Sequence, residues 1–502
     1  MENFLFEKCI LRYFKHEPTT DQKSGINKLS RFIFYNKKKA GLVIKGYAGT
    51  GKTTLISSLV GACKEKGQKI VLLAPTGRAA KVISSYSGSQ ASTIHRYIYK
   101  VKHKSDGYFF SLAKNKSTNT LFVVDEASMI PSLQPVQYNA NQSSGLLADL
   151  LQFVYSGKDC KVIFVGDHAQ LPPVGWSSSP ALNISYLNQL SEVDFYHFEL
   201  KQVVRQSEHS AILKQATTLR QNIDENNNSL NIKTNNSDLK ELRSFDIQDS
   251  FQSAFSELNL GNAIVVCRSN KRANIYNREI RFNVLYFEDA LCPGDLIMAV
   301  KNNYYWLESF SDEGFIANGD ILKVSRVYNF EEMYDYSFAD IDFYFSDQPT
   351  QKMYTCKVNL TTLMLDGPNI PTIEMKKLFL EIEKDNLYIE NKKDRKSAVM
   401  NSPYFQALQI KFAYALTCHK AQGGQWPTVF LDQGYLPENS INRELLRWMY
   451  TSFTRAIDKL LMTFNCFLIS SLRLEGTLPN PLDFLGGAGT VYLARLYQKN
   501  LL

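Results

Sequence analysis

No stretch of this sequence approaches the ~18 uninterrupted apolar residues that a membrane-spanning helix requires, so a membrane protein is not expected. The first eighteen residues mix acidic and basic side chains through a short apolar pattern, unlike a secretory leader. Cysteine is sparse: eight in 502 residues, scattered and without a CxxC pair, which argues against a disulfide framework or a zinc site. Reduced packing thiols in a cytoplasm are the expectation. No repeat of fixed period occurs, which excludes a solenoid. Charge of one sign is also in short supply. The net +8 permits attraction to a polyanion without demanding it, and the basic runs Lys37 to Lys39 and Lys392, Lys393, Arg395 and Lys396 read as solvated faces.

What is present is enough apolar residue, 44 %, to build sizeable cores, and a chain long enough for two to four domains. The first half repeats one pattern, a short apolar run ending in a polar or glycine-rich cluster: Leu42 to Lys45, Ile70 to Ala74, Leu121 to Val124 and Lys161 to Val165. Such runs suit buried parallel strands, and ligands in an open α/β sheet gather at the strands' carboxyl ends. Residues 222–238 carry seven asparagines and few apolar side chains, so an exposed link and a lobe boundary are expected there. The pattern resumes at Ala263 to Cys267 and returns at Phe412 to Leu416, Thr428 to Leu431 and Lys459 to Phe464. Between them, roughly Leu322 to Lys411, alternating runs such as Ile341 to Phe345 and Met353 to Val358 predict a β-rich insertion.

Chemistry-bearing residues sit at the ends of the first-half strands. In Gly46-Tyr-Ala48-Gly49-Thr50-Gly51-Lys52-Thr53-Thr54, glycines free backbone amides to turn toward phosphate oxygens, Lys52 adds positive charge and Thr53 a hydroxyl for Mg²⁺. The following helix adds the positive end of its dipole. The run Leu121 to Val124 delivers Asp125 and Glu126. Alone, such a pair is commonly a solvated turn. After a phosphate loop it suits a magnesium nucleotide, with Asp125 on the metal and Glu126 orienting or deprotonating the attacking water. The third strand leads to Gly166-Asp167-His-Ala-Gln170, where the Gln170 amide can sense a terminal phosphate without competing as a charge.

The ordered set GYAGTGKTT, LAPTGRAAK, STIH, VVDEAS, GDHAQLPPV, VVRQ, TCHKAQGGQ and YTSFTRA resembles the superfamily 1B helicases of the RecD and Dda type over about Gln22 to Ala456. The resemblance implies an α/β fold of two RecA-like P-loop NTPase lobes, with ATP and Mg²⁺ bound in the cleft between them. It places the first lobe at residues 1–205, with a small pin insertion at 96–120. The second lobe is at 206–321 and 412–502, and an SH3-like β-rich insertion at 322–411. Arg205 and Arg455 would reach the γ-phosphate from the second lobe. Gln22 resembles the glutamine that reads the adenine, though it also suits a plain helix start.

The resemblance maps strand contacts onto Pro75, Thr76, Arg78, Thr93, His95, Thr417, His419 and Lys420. Hydroxyls, imidazoles and cations can bind backbone phosphates without reading bases, although either histidine is equally at home in a core. In the pin segment, Phe109 and Phe110 can stack on the last base pair of a duplex or pack a hairpin onto the lobe. Two departures stand out. Gly424-Gln425 replaces the small residue and glutamate of many relatives, and SFTRA replaces the commoner ALTRA. The implied activity is ATP-driven movement of a monomer along single-stranded DNA, 5′ to 3′ by analogy, opening forked duplexes. The alternatives are a related motor on RNA and a nucleic-acid-stimulated ATPase that opens no duplex.

Overall fold

The computed structural model describes residues 2–463, apart from 36–38, 105–106, 133–144, 204–209, 235, 257–260, 308–314, 347–351, 435 and 437–439. The side chains of 101–110 and of residue 244 are likewise outside the description.

Eight strands belong to the first part of the chain: β1 (Gly41–Gly46), β2 (Lys69–Ala74), β3 (Ala91–Thr93), β4 (Tyr99–Lys104), β5 (Gly107–Leu112), β6 (Thr120–Val124), β7 (Lys161–Gly166) and β8 (Phe195–Leu200). Six of them form one sheet in the order β3-β2-β6-β7-β1-β8, every neighbour parallel. The near-continuous apolar runs follow from burial on both faces. In β1, Leu42 and Ile44 share a core with Phe6, Ile26 and Leu59 of helices on one side, while Val43 shares another with Leu147 and Val154 on the opposite side. β4 and β5 stand apart as an antiparallel hairpin, with Tyr99 opposite Leu112. Its second strand lies beside the helix Lys392–Met400.

Ten strands follow: β9 (Leu239–Glu241), β10 (Ala263–Cys267), β11 (Leu296–Ala299), β12 (Ile321–Met333), β13 (Tyr336–Phe345), β14 (Tyr354–Asn359), β15 (Leu408–Phe412), β16 (Ala415–Thr417), β17 (Trp426–Asp432) and β18 (Ala456–Thr463). A second all-parallel sheet runs β16-β10-β17-β18-β9. The remaining five strands close into a barrel, antiparallel except where β14 meets β15. The helices Thr361–Met364, Thr372–Asp385 and Lys392–Met400 interrupt it between β14 and β15, so the insertion is not purely β. Its first strand, β11, precedes the expected start at residue 322.

The apolar run Phe412 to Leu416, read from sequence as one strand, is divided. Phe412 ends a barrel strand, and Ala415 begins a strand of the sheet. The break is held by Asn277, whose carboxamide oxygen accepts the amides of Tyr414 (3.1 Å) and Ala415 (2.7 Å). Its nitrogen donates to the Phe412 and Ala415 carbonyls at 3.3 and 3.1 Å. One side chain thus satisfies backbone groups that a continuous ladder would otherwise pair. The barrel root carries a second buried anchor, the Arg281–Asp295 ion pair at 2.9 Å, with the Tyr414 hydroxyl donating to the same carboxylate. On its other side the barrel meets the first sheet's lobe: Arg96 donates to Asp320 and to the Phe315 carbonyl, both at 2.8 Å. The two parallel sheets are joined as well, because Tyr47, Ala169 and Leu171 of the first lobe are buried in the same core as the second sheet.

Candidate nucleotide and strand sites

Strand order brings the chemistry together. β6, β7 and β1 are neighbours, so the residues after their carboxyl ends, Asp125-Glu126, Gly166 to Gln170 and Gly46 to Thr54, line one edge of the sheet. Within the loop, Gly49 and Gly51 have φ of +76° and +79°, left-handed values that other residues adopt only with strain. Gly51 then opens the helix Lys52–Glu65. Lys52 folds back to donate to the carbonyls of Gly46 (2.7 Å) and Tyr47 (2.9 Å). Thr53 and Thr54 occupy its first turn, partly exposed.

Asp125 continues the strand ladder through its amide to the Leu73 carbonyl, and its carboxylate accepts the Glu126 amide at 2.9 Å. Burial, reinforced by the Glu126 charge, pushes the Asp125 carboxyl up to about 7, with Lys52 pulling the other way. Glu126 itself has φ +50°, a left-handed value that is uncommon outside glycine and clusters at functional positions. Gln170 is buried, and its side-chain oxygen has no hydrogen-bond partner among the described residues. Gln22 is buried too, but both ends of its amide are engaged. The oxygen accepts the Thr19 amide in a capping box, and the nitrogen donates to the Thr50 carbonyl at 3.0 Å, bracing the phosphate loop from below.

Across the cleft stands the helix Arg443–Phe453. The Tyr450 hydroxyl accepts the Ala48 amide at 2.9 Å and donates to the Asp167 carboxylate, whose second oxygen accepts the Ala169 amide. Thr451 accepts the Leu171 amide at 2.9 Å. Sequence reasoning passed over Tyr450, although the residue lies inside the quoted YTSFTRA. The only signal was an aromatic with a polar tip amid small polar residues.

Arg455 is placed differently from the expectation of a side chain extended to the phosphate loop. It is 2 % exposed, and its guanidinium donates to the carbonyls of Thr451 (3.0 Å) and Gly424 (3.1 Å) and to the Thr454 hydroxyl (3.0 Å), all in its own lobe. Arg205 lies outside the described residues.

The strand-contact candidates gather at the ends of β2, β3 and β16. Pro75 follows β2 and is partly exposed. Two of the three threonine hydroxyls are already employed as helix caps: Thr76 accepts the Ala79 amide and Thr93 the Arg96 amide, each at 3.2 Å. A threonine directly before a helix carries that signature in sequence. Thr417 also precedes a helix, but its hydroxyl makes no cap bond. Arg78 stacks on Trp426 of the second lobe, 3.7 Å from the ring centroid, and donates to the Gln425 carbonyl at 3.2 Å. Gly424 follows from this contact, since a Cβ there would lie 2.6 Å from Arg78 Nε. Burial lowers the proton affinity of His95 and His419, and lowers Lys420 to about 8. Lys411, donating to the Leu365 carbonyl, falls to about 7 by burial and by the charge of Lys420. Phe109 and Phe110 are on β5, and their side chains lie outside the described residues. Among the described residues no helix is long and apolar enough to cross a membrane.

The chain matches two family models, described as an AAA domain, over residues 33–243, and a UvrD-like helicase C-terminal domain, over residues 412–463. It is 25 % identical over 523 aligned positions to an uncharacterized protein of Acanthamoeba polyphaga mimivirus, covering 88 % of this chain and 98 % of that one. The ATP-dependent DNA helicase dda of Enterobacteria phage T4 is 32 % identical across 40 % of this chain and 42 % of its own length. A RecBCD enzyme subunit RecD of Buchnera aphidicola is 24 % identical, covering 88 % of this chain and 72 % of that protein.

Proposed function

The chain belongs to the superfamily 1B helicases of the RecD and Dda type, and from that premise we propose that it hydrolyses ATP to move along single-stranded DNA and unwind forked duplexes. The observation that carries this reading is the shared edge of β1, β6 and β7, where a phosphate loop, a carboxylate pair and a buried glutamine face a second α/β lobe already touching the loop through Tyr450.

In this reading the loop amides and Lys52 hold the phosphates, Glu126 takes or orients the proton of the attacking water, and Gln170 senses the terminal phosphate by donating from its amide nitrogen, its unpartnered oxygen being free to accept from the attacking water. Thr53 and Asp125 would hold Mg²⁺. The fit is supported by Asp125, a partly exposed carboxyl raised to about 7 by desolvation and ion-paired with no cationic side chain among the described residues, so a cation beside it would be favoured. The metal supplies charge neutralisation at the outer phosphates. Arg205 and Arg455 contribute positive charge from the second lobe, for which Arg455 must leave its three internal partners. Pro75, Thr76, Arg78, Thr93, His95, Thr417, His419 and Lys420 track the strand, Thr417 with its hydroxyl uncommitted to a cap. Gln22 positions the phosphate loop beside its role at the base. The β4–β5 hairpin separates the strands with Phe109 and Phe110, and the barrel is the SH3-like element covering the translocating strand. The protein acts as a monomer and moves 5′ to 3′.

A forked duplex with a 5′ tail tests the reading, with Lys52→Ala as the inactive control. Strand release that depends on ATP is expected. ATP hydrolysis without release would leave an ATPase that grips nucleic acid, and faster hydrolysis on RNA than on DNA of equal length would redirect the motor to RNA.

A further inference from the structure

The helix Ala211–Asp224 belongs to the second lobe, into which it buries Ile212, Ala216, Leu219 and Ile223. Its next face turns to the phosphate loop. There the Arg220 guanidinium lies over the ring of Tyr47, its carbon 4.2 Å from the centroid. Tyr47 is fixed in turn, because its hydroxyl donates to Asp224 at 2.9 Å and meets His168 Nε2 at 3.1 Å. Asp224 follows Arg220 by one helical turn, the usual place for an ion-pair partner, yet its carboxylate is given to Tyr47.

Arg220 is therefore left with two buried nitrogens, Nε and Nη1, that have no acceptor among the described residues. Buried N–H groups of this kind are costly and rare in folded proteins, the more so on a permanent charge. Nε–H and Nη1–H point from different edges of the rigid plane, so each donates singly, and the charged oxygens of a phosphate are the ligand chemistry that best satisfies such donors on a permanent cation. Position selects which phosphate. Gly49 to Thr53 lead into the helix that receives the inner phosphates, whereas Tyr47 and Ala48 form the side of the loop that faces the second lobe. The Arg220 charge is also felt at the Tyr450 hydroxyl, the group bonded to the Ala48 amide.

We infer that Arg220 is a second-lobe ligand of the nucleotide's terminal phosphate, presented by the ring of Tyr47 and distinct from Arg205 and Arg455. The inference rests on the ATP reading above and adds a contact to it. Because Arg220 stands on the opposite lobe from Lys52, it binds the triphosphate only with the cleft closed, and loss of the terminal phosphate removes a tie between the lobes.

The test compares equilibrium binding of ADP and of a non-hydrolysable ATP analogue to the full chain, for wild type, Arg220→Gln and Arg220→Lys. Loss of a charge-assisted contact should weaken the analogue about tenfold or more in Arg220→Gln while ADP changes less than about twofold. Arg220→Lys, which keeps the charge but not the planar set of donors, should fall between. An equal loss for both nucleotides, or no loss, would overturn the inference while leaving the ATP reading intact. Wild-type protein that binds neither nucleotide would remove that reading and this contact with it. If thermal unfolding shows that Arg220→Gln does not fold, Arg220→Lys decides alone, by whether its loss is confined to the triphosphate.

Discussion

Tyr450 reaches across the cleft to take the amide of Ala48 at 2.9 Å, although the two residues are 402 positions apart. That amide belongs to the loop assigned to phosphates, so nucleotide and tyrosine call on the same donor. The hydroxyl is held there by the Asp167 carboxylate, itself fully buried.

Tyr450→Phe keeps the ring and removes the competitor. Nucleotide affinity should rise severalfold, since the Ala48 amide no longer has to be released. Stability should fall by about 1–3 kcal/mol, because a buried carboxylate oxygen loses its donor. Nucleotide titration and denaturant unfolding of the same preparation measure the two effects. Weaker binding together with lower stability would make Tyr450 a packing residue only.

Arg455→Ala should slow ATP turnover by about 10³-fold if the guanidinium reaches the terminal phosphate during hydrolysis. The same variant strips donors from the Thr451 and Gly424 carbonyls, so the free protein should also lose about 1–3 kcal/mol of stability. Steady-state kinetics beside unfolding curves separate the two. A normal rate in a destabilised protein would confine Arg455 to bracing its own lobe.

Gly424→Ala places a methyl group against Arg78 and the Trp426 ring. The guanidinium must leave the ring, at a cost of about 1–3 kcal/mol for the overpacked contact. The contact joins the lobes, so single-stranded DNA should stimulate ATP hydrolysis less in the variant, while hydrolysis without DNA changes little. The ratio of the two rates is the measurement, and an unaltered ratio would show that the stacking plays no part in coupling.

Lys420 supplies a pH dependence. Burial lowers its ammonium to about 8, and only the protonated form attracts a phosphate. Affinity for single-stranded DNA at fixed ionic strength should therefore weaken as pH rises from about 7 to about 9, and bound phosphate should move the midpoint upward. Lys420→Arg, which stays charged throughout, should flatten the profile. Fluorescence anisotropy with a labelled oligonucleotide reads it directly, and identical profiles for the two proteins would remove Lys420 from the interface.

The legible part of this molecule is the part governed by local pattern. Leu42 to Lys45, Leu121 to Val124 and Lys161 to Val165 are strands because both of their faces are buried, and each announces this by an unbroken apolar run. The loop glycines are legible because phosphate binding and positive φ call for the same residue. Thr76 and Thr93 were legible in a second sense, as caps, that competes with a strand-contact role. The division at Phe412 was hidden, because a barrel strand and a sheet strand abut without a polar break and the residue holding them apart, Asn277, is supplied from a distant helix. Pairings across the cleft, such as Arg220 with Tyr47 and Tyr450 with Ala48, depend on how two lobes dock and leave no periodicity to read.

The Arg96–Asp320 pair gives the barrel an attachment to each lobe, since its root is fixed to the second by Arg281, Asp295 and Tyr414. A body fastened to both lobes cannot ride passively on either. Any rotation of one lobe against the other must bend the short connection around Tyr414 or pull Asp320 from Arg96. The insertion is thus a bridge between the lobes, held at one end by Arg96 and at the other by Arg281 and Tyr414.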